Sequence, residues 1–247
     1  MFKNLVLFPN SIIYLIMAAL GITAQAAEDF GKQRKKMMAE IEETVSYTSD
    51  YIRKTSLDKK VMEVMAKVPR HEFIPHALWR YAYDNRPLPI GEGQTISQPY
   101  IVALMTDLAG IDKNSIVLEV GTGSGYQAAI LAELAGHVYS IEIIEELGNS
   151  AKETLERLGY KNISVMIGDG YNGWPKHAPF DAILVTAAPE TIPSPLIDQL
   201  KPGGRLVIPV GERYGSQLLK VIEKDLEGTV TELDILPVGF VPLTGDH

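Results

Sequence analysis

Short apolar runs alternate with stretches of helical spacing from residue 115 onward. The apolar runs are typical of buried strands, and in the stretches between them apolar residues recur every three or four positions. This alternation predicts a parallel, doubly wound sheet with helices on both faces. The five apolar runs are residues 115–120, 137–142, 163–169, 180–188 and 203–211, and the helical stretches are 126–136, 146–159 and 193–200.

Two further apolar runs, 216–225 and 229–243, follow with no helical stretch between them. They predict an antiparallel pair at one edge, which gives a mostly parallel sheet of seven strands. Gly136 and Gly159 stand at the ends of two helical stretches, where glycine commonly terminates a helix. The predicted fold class is therefore α/β, with a Rossmann-like core over residues 115–247.

The region before the sheet, residues 32–114, predicts a helical cap. Helical spacing covers residues 32–67, and Ser56 stands where an N-cap is expected for the last helix of that stretch. Residues 86–93, RPLPIGEG, have the Pro and Gly content of a loop. Cap and core together predict one domain over residues 28–247.

Residues 1–27 have a separate character. They contain one charge, Lys3, and an apolar run that ends in Ala24-Gln25-Ala26, the pattern of a secretory signal peptide. Because Pro9 interrupts the run, an uncleaved membrane anchor is the other interpretation. Basic residues at positions 32–36 oppose export, since positive charge prefers the cytoplasmic side. We expect an exported (periplasmic) or membrane-anchored protein, with a cytoplasmic location as the alternative.

Composition excludes several kinds of chemistry. The 247 residues include no cysteine, which rules out disulfides, thiolate metal sites and a cysteine nucleophile. The net charge of −8 disfavours nucleic acid as a partner, because such binding needs basic patches. HEFIPH, residues 71–76, has one residue too many for the zinc spacing H-E-x-x-H, so no metal is predicted. No feature demands an oligomer, and a monomer is expected.

A glycine-rich turn follows the first strand of the core. Gly121, Gly123 and Gly125 form G-x-G-x-G, whereas the dinucleotide fingerprint would place its third glycine at position 126. Glycine lets a backbone turn sharply and approach a ligand closely. Glu119, just before the turn, suits a cationic ligand better than a pyrophosphate. The alternative interpretation is an ordinary strand–helix turn.

Two more acids stand at strand ends. Glu142 ends the second strand, where an acid commonly binds ribose hydroxyls, and Asp169 follows the third strand in GDG. Each alone could be a solvated carboxylate. Three acids at the carboxyl ends of consecutive strands, with the glycines, resemble S-adenosylmethionine-dependent methyltransferases. The resemblance implies that Glu119 lies near the methionine part, that Glu142 binds the ribose and that Asp169, with Gly170, lies by the adenine.

A set of motifs narrows the resemblance. VPRHEFIP, GQTISQP, GTGSGYQAA, LKPGGRLVIPVG and FVPLTG occur in an order similar to that of protein-L-isoaspartate O-methyltransferases, over residues 56–245. Such enzymes methylate the α-carboxylate of isoaspartyl residues in damaged proteins and peptides, and the ester returns through a succinimide toward aspartate. His71 stands where the family usually has an acid. The open alternatives are methylation of another carboxylate or a small molecule, and a binding protein without turnover.

GQTISQP carries the expected substrate contacts. Ser97 precedes a helix with Pro99 in its first turn, which is an N-cap signature, and a helix N-terminus can also receive an anion. The resemblance implies an active-site role for Ser97 and places Thr95 and Ile96 along the cofactor. In FVPLTG, it implies that Val241 faces the substrate and Thr244 the cofactor.

Overall fold

The computed structural model describes residues 10–212 and 215–245, with side chains from Phe30 onward. In the described residues seven strands form one sheet, namely β3 Ile116–Val120, β4 His137–Glu142, β5 Ile163–Ile167, β6 Phe180–Val185, β7 Leu200–Gly211, β8 Gln217–Lys224 and β9 Val230–Val238. Their order across the sheet is β5-β4-β3-β6-β7-β8-β9. Strands β3 to β7 are parallel to one another, whereas β8 is antiparallel to both β7 and β9 at one edge, as the sequence predicted.

The described residues form six α-helices, and three of them belong to the predicted cap. These three pack on one another, on the helix Tyr126–Ala132 and on the sheet. Buried apolar side chains divide into two clusters, a larger one that joins the cap to the sheet and a smaller one around β3, β6 and β7. The helices are α1 Asn10–Ile52, α2 Lys59–Lys67, α3 Pro99–Ala109, α4 Tyr126–Ala132, α5 Glu145–Arg157 and α6 Ser194–Asp198.

The cap is not entirely helical. Residues 86–93, predicted as a loop, contain the first strand and the turn of an antiparallel hairpin made of β1, Leu88–Gly91, and β2, Gln94–Ile96. The turn between the strands uses positive φ at Gly91, Glu92 and Gly93, which explains why a Gly-rich stretch forms a tight hairpin. Short 3₁₀ helices at Arg70–Phe73 and His76–Tyr81 complete the cap.

Two predicted helix ends are wrong. Helix α2 is capped by Asp58 instead of Ser56, because the Asp58 carboxylate accepts the N–H of Lys60 at 2.7 Å. Helix α4 ends at Ala132, and Gly136 serves close packing, since a Cβ there would lie 2.9 Å from the Lys113 carbonyl oxygen. Gly159, by contrast, follows α5 at φ +86°, as predicted.

The predicted signal or anchor lies only partly within the described residues. Residues 1–9 lie outside them, and α1 begins at Asn10 and continues through the expected cleavage site at 24–26. None of the helices described is both long enough and apolar enough to cross a membrane. The signal peptide, the anchor and the cellular location remain predictions.

His71, the departure from the family pattern, packs α1 against the rest of the cap. Its ring stacks on Phe30 with centroids 4.0 Å apart, and Nδ1 lies 2.8 Å from the Tyr83 hydroxyl. Burial lowers the pKa of His71 below its usual value. A neutral imidazole suits this aromatic contact, and the side chain belongs to the cap.

Candidate active site

A cleft lies at the carboxyl ends of β3, β4 and β6, where a parallel sheet places its ligand. It encloses about 800 Å³ of empty space, including its open mouth. Nine of the predicted site residues line it together, namely Thr95, Ile96, Ser97, Gly121, Gly123, Glu142, Gly170, Val241 and Thr244.

The glycine turn forms one wall because its backbone is left-handed. Gly121 has φ +99°, and a Cβ there would lie 2.4 Å from Oγ1 of Thr186. That hydroxyl in turn donates to the Gly121 carbonyl at 2.6 Å. Gly125 has φ +85° and packs toward Leu155, away from the cleft. Glycine is therefore required at 121 and 125, but only the first faces the ligand space.

Glu142 ties the second strand to the turn. Its Oε2 accepts the N–H of Gly123 at 2.7 Å, and its Oε1 accepts the N–H of Ile144 at 3.0 Å. The side chain is buried yet lines the cleft. Each carboxylate oxygen keeps a second lone pair, so Glu142 can accept ligand hydroxyls while it holds the loop.

Glu119 lies beneath the turn and outside the cleft lining. It is fully buried, and Ser140 donates a hydrogen bond to its Oε2. The Ser140 hydroxyl also lies 2.5 Å from that of Thr122, which lines the cleft. Oε1 has no hydrogen-bond partner among the described residues. Burial, together with nearby Glu142, raises the pKa of Glu119 to about 8, so the group is mostly neutral at pH 7 without a ligand.

Asp169 also lies outside the lining and has a local task. Its Oδ1 accepts the N–H of Tyr171 at 2.9 Å and caps the 3₁₀ helix Gly170–Asn172. Gly170 does reach the cleft, and a Cβ there would lie 2.4 Å from Cγ1 of Val120. The structure therefore groups three predicted cofactor residues, Glu119, Asp169 and Gly125, around the cleft without exposing them to it.

Ser97 is not the N-cap that the sequence predicted. Helix α3 begins at Pro99 and its N-cap residue is Gln98. The Gln98 side chain makes no capping hydrogen bond. Instead Oδ1 of Asn85, from the chain before the hairpin, accepts the N–H of Tyr100 at 3.0 Å. Pro99 has no N–H, so this helix end offers an anion fewer donors than expected.

The Ser97 hydroxyl is left for other contacts. It makes no hydrogen bond to any part of the chain that the structure describes, and the side chain is half-buried. A second groove of about 1080 Å³, open to solvent, begins at the same residue. Four residues line both the cleft and the groove, namely Thr95, Ser97, Thr186 and Val241. Ser97 therefore lies where two ligand spaces meet.

The segment 240–244 forms the opposite wall. The amide of Gln217 donates to the Phe240 carbonyl at 3.1 Å and accepts the Phe240 N–H at 2.6 Å. Backbone bonds between Ala188 and both Val241 and Leu243 hold the next residues. Val241 and Thr244 thereby reach the cleft, as the sequence predicted.

Sequence reasoning missed three contributors to the site. Thr186 directly follows β6. Glu142 and Asp169 were predicted from the ends of other strands, so the same position in the sequence could have indicated Thr186. Asn85 and the fully buried Arg70 act on residues far away in the chain, and no local pattern marks them. Within the described residues, no cluster of three or more His, Asp or Glu could hold a metal ion.

The cleft fits the methyl donor suggested by the sequence. Gly121 leaves room for a ligand against the backbone, Glu142 can accept hydroxyls, and Oε1 of Glu119 is a buried acceptor without a partner. The Glu142 carboxylate in the lining would also favour a cation, and a sulfonium is one. Fold and cleft together define the class as S-adenosylmethionine-dependent methyltransferase.

Comparison with known proteins narrows the class. Residues 34–247 match the family described as protein-L-isoaspartate(D-aspartate) O-methyltransferase. Protein-L-isoaspartate O-methyltransferase 2 of Syntrophobacter fumaroxidans is 61% identical over 236 residues, 96% of each chain. Protein-L-isoaspartate O-methyltransferase 1 of Cupriavidus necator is 52% identical over 97% of this chain and 94% of its own.

Two solved structures with this family's name also resemble the chain. A protein-L-isoaspartate O-methyltransferase has a TM-score of 0.73 at 28% identity, covering 86% of this chain and 66% of its own. A Plasmodium falciparum structure with a related description is in complex with S-adenosyl-L-homocysteine. It has a TM-score of 0.67 at 26% identity, covering 83% of this chain and 97% of its own. The chain belongs to the protein-L-isoaspartate(D-aspartate) O-methyltransferase family, which uses S-adenosylmethionine to methylate isoaspartyl residues.

Proposed function

We propose that this chain transfers a methyl group from S-adenosylmethionine to the α-carboxylate of L-isoaspartyl residues, and that Ser97 receives that carboxylate. The observation that carries the proposal is the position of Ser97 at the junction of the cleft and the groove. A carboxylate in the groove and a donor in the cleft would meet beside its hydroxyl. Because that hydroxyl has no partner among the described residues, it is available as a donor.

The protein's contribution is placement. The substrate carboxylate is already ionised at pH 7, so no side chain has to remove a proton from it. The bound donor supplies an electrophilic methyl group on a sulfonium. Ser97 orients one carboxylate oxygen, and the walls at Thr95 and Val241 restrict its approach. Holding two reactants in line accounts for a large part of the barrier in reactions of this kind.

Cofactor contacts follow from the cleft walls. Glu142 would accept the ribose hydroxyls, and the backbone of Thr95, Ile96 and the Gly121–Gly123 turn would lie along the donor. Thr244 would close over it, and Gly170 would border the adenine. Glu119 and Asp169 would act from behind the lining, Glu119 by supporting Thr122 through Ser140 and Asp169 by shaping its loop.

A labelling experiment on the full chain tests the activity. Purified protein receives methyl-labelled S-adenosylmethionine and one of two peptides of identical sequence, one with isoaspartate and one with aspartate. Label is expected only in the isoaspartyl peptide, as a base-labile ester. Label in both peptides, or binding of S-adenosylhomocysteine with label in neither, would contradict the proposal and favour another substrate or a binding role.

We also propose that residues 1–27 direct the chain to the membrane or across it. The support is their apolar character, with Lys3 as the single charge, and the Ala24-Gln25-Ala26 sequence that ends the segment. N-terminal sequencing of the natural protein tests cleavage. A start near residue 27 is expected of an exported form, and a start at Met1 in a soluble fraction would contradict both export and anchoring.

A further inference from the structure

Arg70 is a fully buried cation close to the active site. It opens the 3₁₀ helix Arg70–Phe73 and is among the largest side chains with no exposed surface. A charge buried in this way is costly unless its donors find partners. Burial lowers the pKa of Arg70 to about 10 against the opposing influence of Tyr126, so the guanidinium remains charged at neutral pH.

The partners of Arg70 are carbonyl groups and a ring. Nε donates to the Ala82 carbonyl at 2.9 Å, and Nη2 donates to the Ser97 carbonyl at 2.8 Å, with a longer contact of 3.5 Å to the Arg86 carbonyl. The guanidinium carbon lies 4.9 Å from the ring centroid of Tyr126. No carboxylate among the described residues forms an ion pair with it, so this arginine does not act as an ordinary salt bridge.

These contacts connect the two parts of the site that carry Ser97 and Tyr126. Ser97 lies in the loop between β2 and α3, and Tyr126 is the first residue of α4, directly after the glycine turn. Both residues line the cleft. Arg70 does not line the cleft. It donates a hydrogen bond to the backbone of Ser97 and lies against the ring of Tyr126.

We propose that Arg70 is a positioning residue for the methyl transfer. It sets the separation between the Ser97 loop and the start of α4 without touching either reactant. The inference rests on the proposed role of Ser97. A small displacement of one reacting group from the other lowers turnover strongly, because in-line geometry is lost. The walls that Glu142 and Gly121 form are held by other bonds, so cofactor binding is expected to survive a change at Arg70.

Arg70→Lys tests this inference, with Arg34→Lys as the matched control. Lysine keeps the charge but lacks the planar fork that reaches the Ala82 and Ser97 carbonyls together. Arg34 makes the same kinds of contact away from the cleft, to the Ala66 carbonyl at 3.1 Å and to Tyr83, whose ring centroid is 5.3 Å away. Each variant is assayed for kcat and KM with the isoaspartyl peptide, for the Kd of S-adenosylhomocysteine, and for Tm.

The expected result is a split between turnover and binding. Arg70→Lys lowers kcat by about 10- to 100-fold and changes the S-adenosylhomocysteine Kd by less than about threefold. Amide hydrogen exchange rises in residues 94–98 and stays unchanged in 121–123. Arg34→Lys lowers Tm with kcat unchanged.

Several outcomes would overturn the inference. One is a loss of kcat that is equal in the two variants, and another is a Kd that rises in proportion to the loss of kcat. Should the lysine variant not fold, the neutral Arg70→Gln replaces it with the same criteria. If the unaltered protein does not methylate the isoaspartyl peptide, or if Ser97→Ala retains full kcat, the proposed function fails, whereas a normal kcat in Arg70→Lys alone rejects only this inference.

Discussion

The two halves of the site are held by different kinds of bond. On the cofactor side, the glycine turn and Glu142 are joined by short bonds between neighbouring strand ends, such as the one from Gly123 to Glu142. On the substrate side, Ser97 lies in a loop whose bonds come from Arg70 and whose helix is capped by Asn85. The first half therefore follows from the topology of the sheet, and the second depends on side chains distant in the sequence.

This difference separates binding from turnover. Changes at the glycine turn should act on cofactor affinity, and changes around Ser97 should act on kcat. A variant that moved both quantities equally would show that the two halves form one rigid unit.

The largest effect is expected of Gly121→Ala. The new Cβ would lie 2.4 Å from Oγ1 of Thr186 at a φ of +99°, so the turn has to shift toward the ligand space. We expect the Kd of S-adenosylhomocysteine to rise about 100-fold, the equivalent of about 3 kcal/mol, as measured by calorimetry. Gly159→Ala is the control, because it has φ +86° and open space around its Cβ, away from the cleft. Equal Kd values for the two variants would contradict the expectation.

Ser97→Ala is expected to give the next largest effect, on turnover. Loss of the hydroxyl should lower kcat by about 10-fold or more, because it removes a hydrogen bond to a charged substrate group. The Kd of S-adenosylhomocysteine and Tm should remain within error, since Ser97 caps no helix. Steady-state kinetics and thermal unfolding on one preparation check this. A fall in Tm that accounts for the lost activity would mean that the serine is structural.

Glu119→Gln addresses the charge behind the cofactor half. The pKa of Glu119 is about 8 in the folded protein and near 4.5 when exposed, so the unfolded state loses its proton first as pH rises. Its contribution to stability is complete below about pH 4.5 and is lost progressively toward pH 8. The glutamine variant should therefore gain several °C in Tm relative to the unaltered protein as the pH rises from 5 to 8. Parallel curves of Tm against pH would reject this assignment.

Asn85→Ala should have the smallest effect, on stability. It removes the acceptor for the Tyr100 N–H, and loss of a helix cap costs about 1 kcal/mol. We expect Tm to fall by about 2–4 °C, with the S-adenosylhomocysteine Kd unchanged. The contrast with Ser97→Ala identifies the true cap of α3. If Ser97→Ala lowered Tm more than Asn85→Ala, the assignment would be reversed.

The sequence predicted the cofactor half better than the substrate half for a physical reason. The carboxyl ends of parallel strands meet at one edge, so placing β3 and β4 also placed the Gly121 turn and Glu142 side by side. The sequence could not reveal which acids line the cleft, since burial of Glu119 behind the turn depends on packing across the sheet.

The sequence failed to predict the helix caps and the hairpin for a different reason. A serine two residues before a proline looks the same whether or not it caps, and Asn85 supplied the acceptor from 15 positions upstream. Asp58 replaced Ser56 in the same way, because its N–H also binds the Asp107 carboxylate, which fixes the chain entering α2. Long-range bonds between side chain and backbone leave no periodic signal in a sequence.

The wall formed by residues 240–244 also bears on how the protein is made. During synthesis the ribosome produces the glycine turn first, while the segment that Gln217 holds through Phe240 emerges long afterwards. Domains are completed only as their last elements leave the exit tunnel. A nascent chain that already contains Ser97 and Glu142 but not residues 240–244 therefore has an open-sided cleft, and we expect it to methylate only once this wall has folded.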